Sequence, residues 1–278
     1  MKRRTLLTGV TAAAAGIVAV AAGGYTRLRG TDEPVVPDAP LGDERLEQRE
    51  SLARGRTVDF YTAVPAGHGD GRGLPVCLVL HGASKTAADF PALGLGRFVT
   101  DSVRRGNAPF VLAGATGGRL SWRSWDDDDP QRMVHEEIPA WCAERGFATT
   151  SFAAWGWSMG GYGSLLLASR LGPDRVAAIA AESPALWLHP GDSARGAFDD
   201  AADFRANDVF TRRAVLSRIP IRIDCGIADP FHSAAKAFAS GLHPKPVTDL
   251  GAGNHSGGYW RRKAPKAIDF VGKHLTTG

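Results

Sequence analysis

The 278-residue chain is 44% hydrophobic and 22% charged, with 34 glycines and 17 prolines. That apolar fraction can offset chain entropy in one large domain, which excludes a disordered or collagen-like polymer, and the lack of any self-similar period excludes a repeat solenoid. The net charge of +4 drops to +1 without Lys2, Arg3 and Arg4, so no basic face remains for nucleic acid, and no nucleic-acid partner is expected.

Residues 1–22 run from a charged start through an apolar stretch of small residues to Ala19-Val20-Ala21, the form of an export signal. The pair Arg3-Arg4 before Thr5-Leu6-Leu7 resembles a bacterial twin-arginine signal, which takes the folded chain through the twin-arginine export machinery to a secreted or cell-surface location. An ordinary secretory signal or an uncleaved anchor is the alternative, and no stable membrane anchor is expected once the signal is removed. Residues 23–55, with Pro34, Pro37, Pro40 and a charged run lacking a sustained apolar face, are expected to be a linker, with room for a short helix. The globular domain is expected over 56–278.

Within that domain, residues 57–64 alternate apolar and polar side chains, as an antiparallel edge strand does. Short apolar runs at 76–80, 110–113, 152–155, 176–180 and 221–225 alternate with longer helix-like segments, the order of a mostly parallel sheet with helices on both faces. Helices are predicted over 133–145, 159–169, 233–240 and 262–274, with Gly172-Pro173 stopping the second. A further strand is predicted at 246–250. Between Glu182 and Arg218 the chain is polar and contains no second apolar core, so no separate lid domain is expected. Cys77, Cys142 and Cys225 cannot all pair, and two lie in apolar runs; three free thiols are expected, with one disulfide as the alternative. None has zinc-site spacing.

The pattern G-x-S-x-G occurs as Gly156-Trp157-Ser158-Met159-Gly160, directly after an apolar run and directly before a helix-like one. Strand, sharp turn and helix are what a nucleophile elbow requires, and the helix N-terminus favours developing negative charge. Ser158 is therefore the candidate nucleophile; a helix-capping serine is the structural alternative.

The stretch Gly156 to Gly163 resembles the elbow of the esterase family of α/β-hydrolases that includes esterase D (S-formylglutathione hydrolase), feruloyl esterases and secreted mycolyltransferases. The likeness extends from about Arg56 to His274 and includes Leu80-His81-Gly82, Ile138-Pro139-Ala140-Trp141, Gly226-Ile227-Ala228-Asp229-Pro230-Phe231 and Gly253-Asn254-His255. It implies an α/β-hydrolase fold and a Ser, acid, His order along the chain. Asp229, in the turn after the 221–225 strand, fits the acid; Asp224 lies inside that strand and Asp249 is too near His255. His255, in a Gly-rich loop before the last helix, fits the base better than His232, His243, His189 or His68. The resemblance also implies an oxyanion hole from the N–H groups of Met159 and Ala83, with His81 shaping the loop between.

Trp122 and Trp125 flank a loop that often borders the active site in such proteins, and Trp260 follows His255; all three are candidate substrate contacts. Asp126 to Asp129 could hold calcium or sugar hydroxyls, or be merely solvated. No metal or organic cofactor is implied. The expected protein is a secreted serine esterase acting on a small-molecule or carbohydrate ester through an acyl-enzyme. The alternatives are an acyltransferase that passes the acyl group to a carbohydrate or lipid hydroxyl and, less favoured, a non-catalytic binding protein on the same fold.

Overall fold

Side-chain alternation along the central strands sets up a sheet with two buried faces. The structure, a computed structural model, describes residues 36–119 and 121–275; the expected export signal and the first part of the expected linker lie outside the described residues. The strands are β1 (Glu44–Ser51), β2 (Arg56–Ala63), β3 (Pro75–Leu80), β4 (Val111–Ala115), β5 (Ala148–Trp157), β6 (Val176–Glu182), β7 (Ile221–Asp224) and β8 (Val247–Asp249). The principal helices are α1 (Leu95–Arg104), α2 (Ile138–Glu144), α3 (Met159–Leu171), α4 (Ala201–Ala206), α5 (His232–Ser240) and α6 (Gly257–Gly272).

The sheet order is β1-β2-β4-β3-β5-β6-β7-β8. β1 and β2 pair antiparallel, as do β2 and β4, and every other pair is parallel. Successive residues face opposite ways. Val76, Leu78, Phe152, Ala154, Ile179 and Ile223 pack under α2, α3 and α5. Cys77, Val79, Ala153, Trp155, Ala178 and Ala180 pack under α1 and α6. Burying one such Val, Leu or Ile contributes about 2 kcal/mol, so the two layers of core together hold the strands' register. All three cysteines are buried and free.

The expected fold class is therefore what the chain adopts, and the described residues form no separate lid. The segment after β6 holds α4 and short helical turns at Pro190–Asp192, Val209–Arg212 and Arg213–Leu216.

The structure differs from the expectations at four places. The linker expected at 23–55 does not extend to its end, because residues 44–51 form β1, in register with β2 from Glu44↔Ala63 to Ser51↔Arg56. The antiparallel edge is thus β1, and β2 lies inside the sheet. β1 escapes a pattern search because its side chains are mostly charged and carry no apolar face. Its hold is the backbone ladder plus polar bonds, such as Tyr61 Oη to Glu44 at 2.7 Å and Arg49 to Glu144 at 2.9 Å. Charged edges of this kind also discourage pairing with another chain.

The second difference is α1, which was not anticipated. Leu95, Phe98 and Val99 form its buried stripe, but the stripe starts at Gly94, a left-handed residue at φ 80° that no helix signal marks. The third lies at 133–145, where the expected single helix begins as a π-helical turn over Met133–Glu137 before α2. α6 starts five residues earlier than expected, at Gly257, with the Ser256 hydroxyl accepting from Tyr259 N–H at 3.3 Å.

Candidate active site

β5 ends in the middle of the sheet, and Ser158 follows it at φ 56°, ψ −121°. A non-glycine residue at positive φ is strained, and the strain is maintained by its surroundings. Ser158 N–H donates to Glu182 O at 2.9 Å, while its carbonyl accepts from Tyr162 at 3.1 Å and Ala185 at 3.0 Å. The turn also needs glycine on both sides. A Cβ at Gly160 would overlap the backbone of Leu80, and one at Gly156 would lie 2.5 Å from the Gly160 carbonyl carbon. The elbow therefore presses directly against the end of β3.

At that point His81 shapes the loop, as expected. It is fully buried; its Nδ1 bonds Gly82 O at 2.9 Å and its Nε2 accepts from Gly117 N–H at 2.9 Å. Burial pushes its pKa down to about 4, so the ring is neutral and serves as a fixed brace. The brace brings Gly82 so near the elbow that a Cβ there would stand 3.3 Å from Ser158 Cβ. The next residue, Ala83, lines the same cleft as Ser158 and Met159. Neither the Ala83 nor the Met159 amide has an acceptor among the described residues. Two unspent donors beside a serine hydroxyl are the composition of an oxyanion hole.

The other two expected residues come from loops at the same end of the sheet. The turn after β7 is zipped to the loop after β8 by Ile227 N–H to Gly251 O at 2.7 Å and Ala228 N–H to Gly253 O at 2.9 Å. This side-by-side course places Asp229 against His255. Asp229 Oδ1 accepts from Phe231 N–H at 2.9 Å, Oδ2 meets His255 Nδ1 at 2.8 Å, and the carboxylate is buried. His255 Nε2 stands 2.9 Å from Ser158 Oγ. The rival acids are engaged elsewhere: Asp224 pairs with Arg222 at 2.7 Å and Asp249 with Lys263 at 2.5 Å. His232 touches Asp229 only through its backbone N–H.

The imidazole is oriented by apolar walls. Phe231 stands edge-on at 5.2 Å and Trp260 at 5.0 Å between ring centroids. Trp260 therefore lies against His255, and it is not among the residues that line the cleft of Ser158. Trp122 does not reach the site. It is fully buried and wedged against Gly163 and Gly117, and its Nε1 donates to His81 O at 3.1 Å. Its bulk fills the space that two missing Cβ atoms leave, so its role is packing. Trp125 lies under the Arg123 guanidinium, 3.6 Å from the ring centroid, and does not line the cleft. In the acidic run, Asp128 pairs with Arg54 and Arg56, and Asp129 caps a helical turn through Arg132 N–H at 2.8 Å. Among the described residues no group of three or more His, Cys, Asp or Glu is placed to hold a metal ion.

The cleft itself, about 240 Å³, also draws on Arg119, Ser121, Tyr162, Trp187 and Arg195. Tyr162 comes with the elbow helix α3; the other four carry no local signal in the sequence and are brought to Ser158 by loops that follow β4 and β6.

With this geometry, comparison with known proteins is informative. The model of the family described as "Putative esterase" matches residues 50–242. The chain belongs to that family. The MPT51/MPB51 antigen of Mycobacterium tuberculosis is 33% identical over 117 residues, which span 38% of this chain and 38% of that protein. Among solved structures, a ferulic acid esterase superposes with a TM-score of 0.72 at 16% identity, over 84% of this chain and 99% of that one. An S-formylglutathione hydrolase from Agrobacterium tumefaciens gives 0.68 at 18% identity, over 84% and 95%. These two likenesses are likenesses of fold.

Proposed function

We propose that the protein is a serine esterase that hydrolyses carboxylic esters through an acyl-enzyme at Ser158. The observation that carries this reading is the continuous relay from Ser158 Oγ through His255 to Asp229, at 2.9 and 2.8 Å, beside two amides without acceptors. In this reading His255 Nε2 takes the Ser158 proton as Oγ attacks the ester carbonyl. The oxyanion is held by the Ala83 and Met159 N–H groups. His255 then protonates the departing alcohol, and Asp229 stabilises the imidazolium in between. Water repeats the sequence on the acyl-enzyme and releases the acid.

Acyl transfer to a carbohydrate or lipid hydroxyl uses the same intermediate, and the open cleft supports it as a second reading, since no lid excludes a larger acceptor. Short or soluble esters are the proposed substrates, because an open cleft of this volume buries little of a long acyl chain. The ferulic acid complex of a fungal esterase neighbour, from Anaeromyces mucronatus, supports a small ester as the substrate type. The Arg3-Arg4 pair further supports export by the twin-arginine route. Replacing both with Lys should hold the protein inside the cell, and unchanged secretion would favour the ordinary secretory route.

The deciding experiment is labelling with a fluorophosphonate, followed by an ester panel of graded chain length. Label on Ser158, lost in Ser158→Ala, is the expected result. Label on another serine, or none with hydrolysis intact, rejects the assignment.

A further inference from the structure

Two arginines, Arg119 and Arg195, line the cleft that contains Ser158, and no Asp or Glu lines it. Neither guanidinium has an ion pair or hydrogen-bond partner among the described residues. Unpaired surface arginines are common, but these two are held in a common wall by a third. Arg123 is fully buried, and it joins the loop after β4 to the loop before α4. Its Nε donates to Ala197 O at 3.1 Å, its Nη1 pairs with Asp203 at 2.9 Å, and its Nη2 faces Asp199 at 3.3 Å. Its guanidinium plane lies over Trp125 at 3.6 Å.

This clamp has two consequences. It fixes the backbone on which Arg119 and Arg195 stand, on opposite sides of the tie. It also engages acids of the neighbouring loop: Asp203 pairs with Arg123 and Asp199 faces it, while Asp200 caps α4 by accepting from Ala202 and Asp203 N–H at 2.7 and 2.8 Å. On the other loop Asp128 is held by Arg54 and Arg56, and Asp129 by the Ser124 hydroxyl at 2.8 Å and Arg132 N–H. Ser121 and Trp122, two and three residues after Arg119, sit at φ 53° and 52°. Two successive non-glycine residues in left-handed conformation are costly, and the Trp122 wedge between Gly117 and Gly163 is what keeps them there. The cleft wall is thus strained and tied, and its lining carries two arginines and no carboxylate.

From this we infer that the substrate is an ester carrying an anionic group, a carboxylate or its equivalent, which Arg119 and Arg195 hold while Ser158 attacks. Guanidinium suits this task because it stays charged and binds a carboxylate through paired donors. The inference rests on the serine-esterase reading and specifies its substrate class. The anion could sit on the acyl side or on the alcohol side, and two ester pairs separate these. p-Nitrophenyl valerate and the p-nitrophenyl monoester of glutaric acid differ by an acyl-side carboxylate; phenyl acetate and 4-acetoxybenzoate differ by one on the leaving group.

For at least one pair, kcat/KM should favour the anionic member. In the Arg119→Ala/Arg195→Ala protein that preference should fall by about tenfold to a hundredfold, as loss of charge-assisted contacts at an exposed site implies. Lys at both positions should restore part of it, and added salt should shrink it. A preference for the neutral ester in both pairs, or one untouched by the double substitution, overturns the inference. If neither ester is cleaved and Ser158 takes no fluorophosphonate, the esterase reading has failed. Calorimetry with glutarate then decides the clamp alone: binding lost in the double variant supports it, and no binding to the native protein overturns it.

Discussion

At one end of the sheet the same residue types occur twice, with opposite fates. Asp229 and His255 sit on loops beyond the strand ends, where His255 keeps 26% of its side chain open to solvent. A few ångströms inside, Glu182, Asp224 and Asp249 stand in register across β6, β7 and β8, and His81 ends β3. Glu182 is wholly buried; burial first, then the nearby Asp224 charge, push its pKa well above the usual carboxylate range, and one oxygen accepts from Trp155 Nε1 at 3.0 Å. Asp224 is locked to Arg222 through two bonds of 2.7 and 2.8 Å. The inner set braces the sheet end, and the outer set is the one that, in the proposed mechanism, moves protons. Distance beyond the strand, more than residue type, separates the two roles.

That contrast can be broken most sharply at the outer set. Ser158→Ala and His255→Ala should each lower kcat by about a million-fold, since the two act as a unit and their effects do not add. Asp229→Asn should cost about ten-thousand-fold, because the amide can hold the wrong tautomer and cannot stabilise imidazolium. The companion substitution is Asp224→Asn. It should leave kcat/KM of the folded protein near the native value but lower unfolding free energy by about 3 kcal/mol, because Arg222 then stays buried without its counter-charge. Urea denaturation beside ester kinetics checks both halves; equal kinetic loss in the two Asn variants would erase the distinction.

His81 offers a pH test of the same idea. Its folded pKa of about 4 lies below the ordinary 6.5, so between these values the unfolded chain binds the extra proton. Stability from this group is complete above pH 6.5 and declines as the pH falls to 4, by about 3 kcal/mol. Substituting His81 with Asn should remove that part of the acid slope in the urea midpoint. An unchanged slope would mean that His81 is not held neutral.

Glu182 offers a further pH test, of opposite sign. Because its folded pKa is raised, the native state keeps a proton that the unfolded chain loses above about pH 4.5, and stability drops as the pH rises through the folded value. Glu182→Gln retains the acceptor for Trp155 and should flatten that decline. Thermal unfolding from pH 5 to 8 would reveal it, and a parallel decline in both proteins would show the carboxyl to be ionised in the fold.

Much of the site was legible because its signals are local. The run from β5 through Gly156, Ser158 and Gly160 into α3 needs a strand, a strained turn and a helix within about ten residues, and each leaves its own pattern. Chain order then pointed to Asp229 and His255 through a family likeness, and the two loops do converge on Ser158. The tryptophans show the limit of this approach. Trp122, Trp125 and Trp260 look alike as sequence, yet one is a wedge in the core, one stacks on Arg123, and one walls the base. Burial of an aromatic side chain depends on what folds over it, and for Trp122 that is a pair of glycines, Gly117 and Gly163, from different parts of the chain.

The sequence by itself determined the alternating strand–helix order, the parallel core and the elbow, because side-chain periodicity and the steric needs of a tight turn act over a few residues. Only the tertiary structure decided that the charged residues 44–51 form the sheet edge, since their hold is a backbone ladder that no side-chain pattern reports. It also decided that Arg119 and Arg195 share the cleft of Ser158 with no ion-pair partner among the described residues. Which acids are already paired depends on the packing of distant loops around Arg123, and pairing of that kind is non-local by nature.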